Sequence, residues 1–397
     1  MGAINTIANI ELSEEEIVEV SILFDNSINM KNQQYLYMIL YSCNKLKDKY
    51  PQFKNLLLKF AQFDDKNLKY HISRVLMFNK GDEAYSEWFK ECLLSLSDTL
   101  HEEKGIINNL NYTFVNILEA TNNYSVIKDF FLKWVQDSNI TESFPQKSLE
   151  YFIHEFTSKY SILNNKFITE ILNSENSDMH SIMSYLTVGT TKLDKELLSG
   201  YSDNDLLYIC RKILGYFYEF NTLKNLVLSI QEKEYLTKNN KALIIEVFTN
   251  HIGKEYIHDT LDFFKKIDKK ALNKDKKEII ENIIKNLEVF YDRRHDLPRL
   301  KELIPFSQES REIHKANQTL MSKSMEKAQE ESILGQIGTK ILIKYGKGSF
   351  SYGEEKYSEV SYLHKFSTSM TIPTTERAHP VDTSIHRYHF RIAKKGD

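Results

Sequence analysis

Histidine and arginine crowd the C-terminal end of this chain, and they are the residue types through which it could do chemistry. Six of the 12 His lie beyond Arg293, and seven of the nine Arg lie from Arg293 onward. His364, His379, His386 and His389 are the candidate metal ligands. Zinc sites take four nitrogen or sulfur ligands, commonly including Cys, and residues 335–397 hold no Cys. The alternation around His386 predicts a strand, on which positions three apart point to opposite faces. These histidines therefore read as surface or turn residues, and no metal or cofactor is expected.

Two other patterns invite chemistry. Gly346-Lys347-Gly348 suggests a phosphate loop, but that loop needs GxxxxGK[ST] running from a strand into a helix. The residues after Gly348 read as a strand, so the segment predicts a hairpin turn. Asp292-Arg293-Arg294-His295-Asp296 puts acid, base and imidazole side by side, yet adjacency in sequence does not make a site. It reads as a solvated helix end, where cations complement the C-terminal dipole, and Arg293 and Arg294 are candidates for partner contact. Nucleophile elbows, HExxH and paired kinase motifs are not found.

The best candidate surface lies near the end of the chain. His386, Tyr388, Phe390 and Ile392 alternate with Arg387, His389 and Arg391, which predicts a strand with one aromatic and one basic face. Two Arg on one strand face sit about 7 Å apart, close to the spacing of adjacent phosphates on one nucleic-acid strand. Guanidinium also suits bidentate contacts to carboxylate. Arg387, His389 and Arg391, with Lys394 and Lys395 behind them, are thus expected to meet an acidic surface on a partner protein or a nucleic acid. The overall charge of −3 hides an asymmetry in the same direction: 18 Lys+Arg face 13 Asp+Glu from Arg293 to Asp397, against 34 and 42 before it.

The elements that carry these residues follow from periodicity. Ser13 to Glu16 spells a capping box, followed by Ile17, Val20 and Phe24 at helical spacing. The same beat recurs through Leu149, Phe152, Ile153 and Phe156, then over 203–220, 222–236, 239–251, 255–267 and 275–291. No Pro occurs between Gln146 and Leu297. Cys43, Cys92 and Cys210 sit in apolar helical patterns and read as buried free thiols of a reducing compartment. No run approaches the ~18 apolar residues of a membrane span.

The chain is therefore expected to be mainly α. Residues 1–305 form an irregular helical array, either a HEAT-like solenoid or a large helical bundle. Residues 306–334 form a connecting helix, and residues 335–397 a small β-rich tail, with strands near 339–345, 366–372 and 386–392. The expected role is that of a non-catalytic cytoplasmic scaffold or accessory subunit that binds another protein in a microbial assembly, away from membranes. A nucleic-acid-binding protein using the basic C-terminal third, or an enzyme built on the tail histidines, are the alternatives.

Overall fold

The computed structural model describes residues 2–29, 33–79, 86–99, 103–137, 149–233, 235–268, 272–295, 307–330, 348–349, 352–353, 356–357, 361–362, 374 and 379–396. It divides into two units, Met1–Glu288 with Pro373–Asp397, and Val289–Ile372.

The first unit is helical. It begins with α1 (Gly2–Ile7), α2 (Glu14–Asn29), α3 (Gln33–Leu46), α4 (Gln52–Ala61), α5 (Lys66–Phe78) and α6 (Glu87–Leu94). It continues with α7 (Lys104–Thr121), α8 (Ser125–Asp137), α9 (Glu150–Ser158), α10 (Ser161–Asn173) and α11 (Ser177–Leu186). Then come α12 (Lys195–Gly200), α13 (Asp203–Tyr216), α14 (Phe220–Ser229), α15 (Lys238–Glu246), α16 (Gly253–Glu255), α17 (Ile257–Lys266) and α18 (Lys274–His295). The capping box at the start of α2 is formed, with Ser13 N–H donating to Glu16 Oε2 at 2.8 Å. A second one at α13 joins Ser202 and Asp205.

Helices pack against the next element and the next but one. One row runs α1, α3, α5, α7, α9, and another α2, α4, α6, α8, α11. The apolar stripes between rows make a continuous core. Its densest part is aromatic: Phe114, Phe130, Phe131, Trp134, Phe152, Phe156 and Phe167 are each at most 2% exposed. Their rings meet mostly edge-to-face or tilted, as at Phe114–Phe152 with centroids 5.2 Å apart. The three thiols are buried in the same core.

Two features stand out near the C-terminal side of this unit. Between α15 and α16 the chain winds through one wide π-helical turn, Val247–Ile252. Such turns insert an extra residue and often mark functional sites. Gly253 closes the turn where a Cβ would lie 2.3 Å from Phe248 O and 2.5 Å from Leu287 Cδ2, so only glycine fits. The second is the last helix, α20 (Pro380–Ile392), which packs on α13.

The second unit holds the end of α18, the helix α19 (Ser307–Glu330) and four two-residue strands. Leu320, Met321 and Met325 on α19 are exposed, in keeping with the thin apolar stripe of a polar helix. Strand β1 (Gly348–Ser349) pairs antiparallel with β4 (Ser361–Tyr362), and β2 (Tyr352–Gly353) with β3 (Lys356–Tyr357). Among the described residues these two short ladders are what is seen of the expected β-rich tail. The strands expected at 339–345 and 366–372 lie outside the described residues.

Candidate functional site

The strand expected over 386–392 is a helix, and this corrects the reading of the basic face. Pro380 stands in the first turn of α20, where its missing N–H is not needed and its fixed φ suits the helix. Thr383 N–H donates to His379 O at 3.0 Å, and the Thr383 hydroxyl reaches the same carbonyl at 2.9 Å. With a period of 3.6 rather than 2, Arg387 and Arg391 share one face and His389 turns away from it. Arg387 is buried, whereas His389 is exposed.

Both guanidinium groups face inward onto the end of α13. Arg387 Nη1 donates to Phe217 O at 2.9 Å, and its Cζ lies 3.9 Å from the centroid of the Tyr218 ring. Arg391 Nε donates to Gly215 O at 2.7 Å, and its Nη2 lies 2.5 Å from Tyr218 Oη. A helix leaves its last carbonyls without intrahelical partners and carries negative charge there, so cations are favoured at that end. The gesture is returned. Lys212 Nζ, on α13, donates to Arg391 O at 2.5 Å and Ala393 O at 2.8 Å, the orphan carbonyls of α20. Lys395 pairs with Asp205 at 3.1 Å, near the start of α13. The order of these contacts makes the two helices antiparallel. They approach closely at Gly215, where a Cβ would lie 3.0 Å from Arg391 Cγ and 3.1 Å from Arg391 N.

Under α20 lies a cavity of about 340 Å³. Leu214, Phe217, Leu223 and Phe390 supply apolar walls. The wide turn contributes Asn250, His251 and Ile252, and α16 contributes Lys254 and Glu255. From the other side come His379, Asp382, His386 and Arg387. The His251 ring meets Phe390 edge-on at 5.3 Å. Burial holds the His251 imidazole below the ordinary histidine range, helped by Lys254 and His386 and opposed by Glu246.

Of the five residues expected to contact a partner, Arg387 and Arg391 are thus engaged inside the fold and His389 is exposed. Arg293 is exposed near the end of α18 in the other unit, and the Arg294 side chain lies outside the described residues. Lys347 and His364 are also outside them. His379 and His386 line the cavity, but among the described residues no group of three or more His, Cys, Asp or Glu side chains could hold a metal ion. Sequence reasoning missed Lys212, His251 and Lys254. Nothing local marks the roles of Lys212 and His251, because Arg391, Ala393 and Phe390 sit more than a hundred residues further along the chain.

The opposite face of α20 is apolar and open. Val381, Ile385, Tyr388 and Ile392 follow at i, i+4, i+7 and i+11 and are 69%, 50%, 59% and 52% exposed. His389 and Lys394 are exposed beside them. Compared with protein-family models, with curated proteins and with solved structures, the chain has no match in any of the three. Among the described residues no helix is long and apolar enough to cross a membrane.

Proposed function

We propose that the chain is a non-catalytic cytoplasmic scaffold, an irregular HEAT-like array that binds a partner protein through the outward face of α20. The carrying observation is the four-residue apolar stripe on a helix whose other face is fastened by Arg387 and Arg391. A helix that leaves an i, i+4, i+7, i+11 row of large apolar side chains in water suits the helix-in-groove mode of recognition. His389 and Lys394 are exposed beside the row, so the complementary partner has an apolar groove with an acidic rim. The nucleic-acid alternative, which drew on the basic C-terminal third, loses Arg387 from the exposed surface, since that side chain is buried against Phe217 and Tyr218.

The test is the double variant Ile385→Asp, Tyr388→Asp, compared with the parent in co-purification from the native host. Both side chains are half exposed or more, so the helix content and melting temperature should hold. Loss of a specific protein whose binding survives roughly 0.5 M salt supports the reading, because apolar burial is not screened as charge is. Retention of the same partners by the variant, or binding that vanishes with salt as phosphate contacts do, overturns it.

A further inference from the structure

We propose that the cavity beneath α20 is a binding site for a small organic monocarboxylate, with its acid group held by Arg387 and its apolar body against Phe217, Leu223 and Phe390. The first observation is electrostatic. Arg387 is only 9% exposed, and among the described residues no carboxylate lies within ion-pairing distance of it. A guanidinium has five N–H donors, of which one is accounted for by Phe217 O among the described residues. A buried charge with no counter-charge is costly, and proteins bury guanidinium where it meets an anion. The face of the group rests on Tyr218 at 3.9 Å, which leaves its edge to do the binding.

The second observation is the space. At about 340 Å³ the cavity lies in the range of small-ligand pockets, with mainly apolar walls and a few convergent polar groups. The wide turn Val247–Ile252 is what aims Asn250 and His251 into it, at the cost of regular α-helical hydrogen bonding. The third observation selects the ligand's charge. Asp382 and Glu255 line the cavity along with Lys254 and Arg387, so two carboxylates balance two cations and a dianion meets no surplus of positive charge. Burial disfavours the charged form of His251, whose ring lies against Phe390. One negative charge on an apolar body fits this lining; inorganic phosphate does not.

The experiment titrates the full chain with benzoate and hexanoate, with benzamide and hexanamide as uncharged isosteres, and with inorganic phosphate, followed by calorimetry and amide NMR. The acids should bind and shift amides of residues 250–255 and 380–390, with the amides at least about tenfold weaker, as expected for loss of a charge-assisted contact. His386→Trp, at an exposed position on the cavity rim, should abolish acid binding while the Arg387–Phe217 bond keeps α20 in place. Arg387→Lys should weaken the acids and leave the isosteres unchanged, since lysine lacks the planar fork. Equal binding of acids and amides, unchanged acid binding by His386→Trp, phosphate tighter than both acids, or no binding of any probe at about 20 mM would each overturn the assignment.

Discussion

Gly215→Ala isolates how tightly α20 is seated. In an isolated helix this change is favourable, because alanine is a better helix former by roughly 0.5–1 kcal/mol. Here the new methyl would lie 3.0 Å from Arg391 Cγ, 3.1 Å from Arg391 N and 3.3 Å from Phe390 C. Two of these are backbone atoms of α20 and cannot rotate away. The helix must retreat by a few tenths of an ångström, which stretches the Arg391–Gly215 and Arg387–Phe217 bonds together. Overpacking of this kind costs about 1–3 kcal/mol. The net expectation is a loss of about 1–2 kcal/mol, which corresponds to roughly 5–30-fold faster exchange of the α20 amides if the helix opens locally. Hydrogen exchange followed by NMR reads this directly, with thermal unfolding beside it. Gly200→Ala is the matched control: nothing lies within 4 Å of its Cβ position, so the same chemical change should be neutral or mildly stabilising. Slower exchange in α20 for Gly215→Ala, or equal effects at the two sites, would refute the close seating.

Three further outcomes follow from buried groups. His180 is fully buried, with Nε2 3.0 Å from Ile171 O, and burial, aided by Lys212, pushes its imidazole down to about 4. Its folded value is below the ordinary 6.5. Its contribution is therefore present above that pH and is lost as pH falls from 6.5 towards 4, by about 3 kcal/mol in all; His180→Phe should flatten that limb of a stability–pH curve. Burial pushes the Cys92 and Cys210 thiols up to about 12 and Cys43 further still, so a thiol reagent should label none of them in the native chain and all three in denaturant. Lys212→Met should release the C-terminal end of α20 by removing two charge-assisted bonds, a loss of about 2–4 kcal/mol visible as exchange confined to that helix.

The helices were legible in the sequence because amphipathic periodicity is a local signal. The stretches read at 255–267 and 275–291 correspond to α17 and α18, and the capping box at Ser13 forms as spelled. Residues 386–392 were misread for a reason that can be stated. Alternating aromatic and basic residues satisfy a period of 2, but the same seven residues also place Arg387 and Arg391 four apart, and Pro380 signals a helix start. Local pattern could not choose between these. The choice was made by Gly215 O and Phe217 O, carbonyls that only the folded array presents. The cavity was invisible for the same reason, since its walls come from three separate stretches of chain. Arg387 and Arg391 were singled out as contact residues on a strand face; on the helix they bond Phe217 O and Gly215 O instead.

The mutual capping of α13 and α20 also has a temporal side. Gly215 and Arg391 are 176 residues apart. At ribosomal speeds of about 5–20 residues per second, roughly 10–35 s separate the emergence of the two. During that interval the end of α13 lacks the Arg387 and Arg391 donors, and Leu214, Phe217 and Leu223 lack the cover of α20. Until α20 arrives the emerging chain exposes apolar surface at that place, the kind of surface through which folding chains associate. A polypeptide released early would carry that open wall into the cell as a mark of incompletion.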